Sequence, residues 1–504
     1  MNNLRQSLIG YADWLGYGHG ERVEAWVERL DINLPELQHF RAQMLPSCPV
    51  YVASAAAMPV ADGAPQLAQS VEMTPDQEIM DAMERARELV HWNMFTWLAA
   101  ELPQRETGFL GGMPVAVKDL MAIAGRPLSG GSAALNDTIA LRDAEVVARL
   151  RRAGATLIGA TNLHELAYGI TSNNPRFGRV VNPAAPDRIP GGSSGGSAAA
   201  IAAGVVHCAL GTDTAGSIRV PAACCGIVGF KPSYDVLPRK GVLDLAPSLD
   251  HVGPMGRTVA DTAALFAALL DLPAMPAWRY HSLAGYRIAR LAGYFDQPLD
   301  PCLREVLSDA MKTLAEAGAT CSVTEIDGMD SAASIQLNTI CAEASATHNT
   351  LLQQNGEALG EDVRVRLEIG NFLPGHWYLK AQKMRFQLAN NVDAAFGQAD
   401  FLICPTMRTA APPVGATHVD IESRTYPLHT AVTHLTMPFN LTGHPAISIP
   451  WSQTQDGAPL ALQIIGRRSA DWQVLAIAEL LEKMSPWTKR QTAGNLQRNR
   501  HAGN

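Results

Sequence analysis

The chain has 504 residues, of which 47% are hydrophobic and 17% charged, with a formal net charge of −8. This balance supports a large buried core, excludes an intrinsically disordered chain, and leaves no basic footprint for nucleic acid or an anionic membrane. No apolar run reaches the roughly 18 residues a membrane span needs, and residues 1–21 lack the basic start and apolar core of a secretory signal, so a cytoplasmic protein is expected. The eight cysteines, at 48, 208, 224, 225, 302, 321, 341 and 404, show no CxxC spacing and read as reduced, largely buried thiols.

In chain order, residues 1–72 differ from the rest of the chain. Trp14, Trp26, Val27, Leu30, Leu34 and Leu37 recur at loosely helical spacing, and the stretch from Pro46 to Ser70 is rich in alanine and proline. They predict a small helical extension and a connector, and the amphipathic spacing makes the extension a candidate dimerisation element. A single large domain is expected over 73–487. Thr74 and Pro75 open a helix running to about Trp97, followed by a strand at Pro114–Val117, a helix at 143–154 and a strand at 156–159. A strand at 205–210 and a helix at 258–270 come next. Strands near 286–292, 320–325, 400–404, 446–450 and 460–465 then alternate with helices near 301–317, 331–356, 378–397 and 470–484. The alternation predicts an α/β fold, a mixed sheet with helices on both faces. The polar residues 488–504 read as a mobile tail.

Chemistry concentrates in three places. Pro190 to Gly204 is a glycine- and serine-rich loop that runs straight into an apolar helix and brings Ser193 to its start. Gly211 to Arg219 ends a strand in small residues around Ser217, where backbone N–H groups of Thr214 to Ser217 suit an oxyanion. Lys118 closes an apolar strand. A serine nucleophile needs a base, and histidine is the common one. His164-Glu165 fails the zinc pattern because Tyr168 stands where a second histidine is required, His207 falls in an apolar strand, and His251 and His444 sit in loops without a diagnostic partner. No G-x-S-x-G elbow is present. A metal site and a Ser-His-Asp hydrolase are both poorly supported, and no metal or other cofactor is expected. Residue type and position alone leave Lys118 one candidate among many, since a lysine at a strand end is usually solvated.

Five segments carry a resemblance. Gly112–Leu120, Pro190–Gly204, Gly211–Ala222, Cys225–Ser233 and Ala246–Asp261 resemble, in order and spacing, the amidase signature family of serine hydrolases, with Ser193 and Ser217 standing 24 positions apart. The resemblance extends over roughly Met73 to Trp487. It implies Ser217 as nucleophile, Ser193 as a bridge reached through a cis Gly192–Ser193 peptide, and Lys118 as a neutral base. It places the oxyanion against the N–H groups of Thr214, Ala215, Gly216 and Ser217, although Ala215 stands where many members have glycine. Asp213 and Arg219 match positions that brace the turn; a surface ion pair is the alternative. Tyr168 and Ile170 align with the stretch lining the acyl pocket, or are ordinary core, and Cys224 and Cys225 are packing residues. A lysine free in water has a pKa of about 10.4, so burial is the route to a neutral base.

The implied activity is hydrolysis of a small-molecule linear amide at its C–N bond through an acyl-serine. Alternatives within the family are a glutamine-hydrolysing subunit of a tRNA-dependent amidotransferase, for which the 72-residue extension is atypical, and a hydrolase of urea- or carbamate-type amides. A non-catalytic binding protein on the same fold would be signalled by loss of Lys118, Ser193 or Ser217, and all three are present.

Overall fold

The computed structural model describes residues 75–136 and 138–490, together with 9, 23–30, 40 and 43. Most of the predicted extension and connector, Cys48 and the tail from 491 onward lie outside the described residues; 23–30 are helical.

Eleven strands form one sheet: β1 (Phe95–Leu98), β2 (Pro114–Lys118), β3 (Thr156–Thr161), β4 (Cys208–Asp213), β5 (Val228–Lys231), β6 (His251–Gly256), β7 (Arg287–Leu291), β8 (Thr320–Thr324), β9 (Phe401–Pro405), β10 (Ala446–Gln453) and β11 (Pro459–Gly466). Their spatial order is β1-β3-β2-β4-β6-β5-β10-β11-β9-β7-β8. The β2 pairings with β3 and β4 are parallel, as are those of β7 with β8 and β9, while the remaining pairs are antiparallel, which makes the sheet mixed. Side chains alternate across a sheet, so neighbours along one strand enter different cores. Val115 and Val117 of β2, with Cys208 and Leu210 of β4, join one apolar cluster, whereas Ala116 and Ala209 join a second. The first includes residues of the helices α2 (Glu145–Arg152), α5 (Val259–Leu269), α6 (Pro301–Glu316) and α12 (Asp471–Met484), and the second those of α1 (Pro75–Glu88), α3 (Gly195–Ala202) and α4 (Arg219–Cys225). Helices therefore cover both faces, as expected.

The helix predicted to reach Trp97 ends at Glu88. A short 3-10 turn follows, stopped by Asn93 in the left-handed region at φ 54°, and Phe95–Leu98 then pairs antiparallel with β3. A Phe-Thr-Trp-Leu run suits a half-buried pleated edge better than a helix. The strand predicted at 205–210 starts at Cys208 and reaches Asp213, so His207 lies just before it and half-buried. His251 opens β6 instead of sitting in a loop. The sequence reading names neither β5 nor β6, since His-Val-Gly-Pro-Met-Gly carries glycine and proline that argue against a central strand. No helix among the described residues is long and apolar enough to cross a membrane.

Between α6 and β10 the chain adds α7 (Ala332–Asn355), α8 (Glu361–Gly370), α9 (Gly375–Phe396), α10 (Leu428–Thr433) and α11 (Met437–Leu441), several of which wall the site. The helical residues 23–30 pack there too: Val23 and Trp26 are buried against Val365 and Ile369 of α8.

Candidate active site

Parallel pairing of β2 with β4 sets Val117 opposite Leu210 and brings the carboxyl ends of both strands together. Lys118 and Thr212 meet there, and Lys118 Nζ hydrogen-bonds to Thr212 Oγ1 at 2.8 Å and Ser193 Oγ at 2.7 Å. Ser193 enters from the loop before α3 after a cis Gly192–Ser193 peptide. The loop is pinned on both sides: Ser172 Oγ donates to Gly191 O at 2.9 Å and accepts from Gly195 N at 3.1 Å, and Ser193 O accepts from His164 N at 3.1 Å. A Cβ on Gly196 would stand 2.3 Å from Asn162 O, so the missing side chain lets α3 press against the end of β3. Ser194 N donates to Ser217 O at 3.2 Å and ties this loop to the turn that carries Ser217.

Lys118 is not a solvated strand-end lysine. It is fully buried, and desolvation lowers its pKa to about 7 against the opposing pull of Asp213 and Asp250. Burial raises Asp250 to about 7 although it accepts from Thr214 Oγ1 at 2.6 Å and from the N–H groups of Leu245 and Ala246. Burial would raise Asp213 as well, but the Arg219 charge overrides it and holds that carboxyl well below the usual range.

Asp213 organises the Ser217 turn. Its Oδ1 accepts from Gly216 N at 2.7 Å and its Oδ2 from Ile218 N at 3.1 Å. Arg219 binds it bidentately, Nε to Oδ2 and Nη2 to Oδ1, both at 3.0 Å. Both side chains are fully buried, so the pair is an internal brace, not a surface ion pair. Arg219 also reaches Thr436 O, Gln463 Oε1 and Asn440 Oδ1, which fastens the turn to α11 and β11. Of the four N–H groups assigned to an oxyanion, that of Gly216 is directed at Asp213, which leaves Thr214, Ala215 and Ser217. Gly216 sits at φ +136°, where a Cβ would meet Thr436 Oγ1 at 2.3 Å. Ala215 is not among the residues with positive φ, so its methyl group is accommodated.

Ser217, 6% exposed, opens onto a cavity of about 130 Å³. Thr214 and Ala215 share its wall, as do Tyr168 and Ile170. Ser193 and Lys118 are both fully buried and do not line the cavity. Tyr168 is buried there, with its hydroxyl 3.5 Å from Cys341 Sγ. His429 also lines the cavity, but burial, with Arg29 and Arg366 nearby, lowers it to about 3. Among the described residues no cluster of three or more His, Cys, Asp or Glu side chains is placed to hold a metal ion.

Residues 77–475 match the amidase family model. The chain belongs to the amidase family. The A subunit of glutamyl-tRNA(Gln) amidotransferase from Cyanothece sp. (strain PCC 7425) is 35% identical over 425 residues, 76% of this chain and 86% of that one. A crystal structure of an amidase superposes with a TM-score of 0.78 at 32% identity, covering 82% of this chain and 96% of the other. A structure described as a vestigial protein complex bearing on the origins of an s-triazine catabolic enzyme superposes at TM-score 0.76 and 31% identity, over 82% and 95% of the two chains.

Within this amidase-family site the sequence reading missed four contributors. Thr212 lies inside the motif beside Asp213 but gives no sign that it faces Lys118. Asp250 holds Thr214 from 36 positions away. Arg29 and Arg366 reach the cavity from segments with no readable motif.

Proposed function

We propose that this amidase-family protein hydrolyses the C–N bond of a small linear carboxylic amide through an acyl-Ser217 intermediate. The observation that carries this reading is the graded burial of the three groups. Ser217 lines the cavity, Ser193 is fully buried, and Lys118 Nζ lies 2.7 Å from Ser193 Oγ with a pKa lowered to about 7.

Ser217 Oγ attacks the amide carbon while its proton moves to Ser193 Oγ, and the Ser193 proton moves to the lone pair of neutral Lys118. The oxyanion is met by the N–H groups of Thr214, Ala215 and Ser217, held in place by the Asp213–Arg219 brace. When the C–N bond breaks, Lys118 returns its proton through Ser193 to the leaving nitrogen, which departs as ammonia or amine. Water then attacks the ester and gives its proton to the same relay. The carboxylic acid leaves and Ser217 is regenerated. The test is Ser217→Ala assayed on aliphatic, aryl and urea-type amides for ammonia or amine release. Turnover should fall by about 10⁴-fold or more. Activity near that of the unaltered protein would refute the assignment.

A second reading is favoured by two relatives named as the A subunit of glutamyl-tRNA(Gln) amidotransferase. Under it the same relay hydrolyses glutamine and the ammonia passes to a partner protein. Glutamine hydrolysis that rises when a candidate partner is added supports this reading; partner-independent hydrolysis of other amides supports the first.

A further inference from the structure

We propose that a groove beside the catalytic cavity, walled by Arg408 and His434, is a second ligand site that binds a small monocarboxylate. The proposal does not depend on the amide-hydrolase reading.

The groove measures about 870 Å³. Ala333 of α7 and Thr430 of α10 line both it and the catalytic cavity, whereas Lys118, Ser193 and Ser217 do not line it. Arg408 reaches it from three residues past β9, where Asp300 N donates to the Arg408 carbonyl at 3.0 Å. His434 follows α10 directly. The Tyr294 ring stacks on the His434 imidazole, with centroids 3.8 Å apart and planes 20° from parallel, and its hydroxyl donates to His434 O at 3.1 Å. Contacts from three separate parts of the chain therefore hold this wall in place.

Arg408 is 5% exposed and His434 8%. The guanidinium donates through Nη2 to His434 Nε2 and stands 5.4 Å from the centre of the Tyr426 ring. Its Nε is buried with no hydrogen-bond partner among the described residues. Burial lowers Arg408, with the phenols of Tyr294 and Tyr426 acting the other way and no carboxylate among its charged neighbours. A guanidinium nevertheless keeps its charge, and a buried charge is costly until an opposite one meets it. His434 does not supply one. Burial and the Arg408 charge hold it well below the ordinary histidine pKa, so its ring is neutral. Because Nε2 accepts from Arg408, the ring proton sits on Nδ1, which is also buried and unpartnered among the described residues. One wall thus holds a full positive charge and two N–H groups without acceptors, which calls for an anion.

The exposed lining decides which anion. Glu325, Asp327 and Asp330 outnumber the one exposed cation there, Arg424, and repel a doubly charged ion more strongly than a singly charged one. A carboxylate has a single charge, and its plane matches the guanidinium fork. Pro298, Ile326 and Met329 add apolar lining, which suits a short alkyl or aryl body.

Thermal unfolding and calorimetry on the full chain test benzoate and butyrate, each against its alcohol (benzyl alcohol, butanol), with sulfate at equal ionic strength. The carboxylates are expected to bind and to raise the thermal midpoint, and the alcohols and sulfate to do neither. Arg408→Gln should weaken carboxylate binding by about tenfold or more. Arg408→Lys keeps the charge without the fork and should weaken it by about threefold, which decides the point should the glutamine variant not fold. Carboxylate affinity indifferent to Arg408 overturns the proposal, as does sulfate or an alcohol binding as tightly as the carboxylates. Affinity lost in Arg366→Gln but kept in Arg408→Gln would put the carboxylate in the catalytic cavity and overturn it as well.

Discussion

Lys118 Nζ and Ser193 Oγ lie 2.7 Å apart, and neither side chain is exposed. Under the proposed relay, that contact ties proton transfer to the burial of a lysine at the end of β2. Burial lowers Lys118 to about 7, and only the neutral amine accepts a proton. kcat/KM should therefore fall by about tenfold per pH unit below that value and level off above it. A pH–rate profile over the range that leaves the circular dichroism spectrum unchanged checks this. Lys118→Ala should abolish turnover with the fold retained, and near-normal rates would place the base elsewhere.

Under the same relay, Thr212 is expected to orient the Lys118 amine, whose Nζ donates to its hydroxyl. A neutral amine that donates one N–H to Thr212 Oγ1 at 2.8 Å keeps a lone pair that can accept the Ser193 proton. Thr212→Val should lower kcat by about tenfold with a smaller change in KM, and Thr212→Ser should restore most of the rate. If valine and serine behave alike, the hydroxyl has no part in the relay.

Asp213 and Arg219 carry opposite charges without access to water. Asp213→Asn leaves Arg219 with an uncompensated buried charge and should cost about 3–5 kcal/mol in urea unfolding. The double change with Arg219→Met should cost less than the two single changes added together, because each single change strands the other charge. Strict additivity would show that the brace is not a coupled unit.

Gly216 has no room for a side chain. With Thr436 Oγ1 2.3 Å from a Cβ and φ at +136°, Gly216→Ala must displace the Ser217 turn. Stability should drop by about 1–3 kcal/mol, and kcat should fall further than that loss of folded protein explains. Active-site titration alongside thermal unfolding separates the two effects.

Much of the fold is legible because its elements are local. The strands at 287–291, 320–324 and 401–405 and the long helices after Pro301 follow apolar periodicity and capping residues, and the structure sets them within one residue of the predicted bounds, apart from the helix predicted from 378, which starts three residues earlier at Gly375. Reading fails where tertiary pairing overrides local preference. Phe95–Leu98 becomes an edge strand by pairing with β3, and His251–Gly256 becomes a central strand despite Pro254 because β4 and β5 flank it.

The sequence by itself determined the family and named Lys118, Ser193 and Ser217, since these sit in long ordered motifs whose glycines and serines have little other use. Only the tertiary structure decided how they are disposed. The burial that lowers Lys118 depends on every element packed over it, and Thr212 faces it only through the parallel register of β2 and β4. The donor pattern around Ser217 depends on where the Asp213 carboxylate is anchored, and the cavity on helices 23–30, α7, α8 and α10, brought together from distant parts of the chain. Motifs record which groups are present; desolvation and contacts across long sequence separations determine what those groups can do.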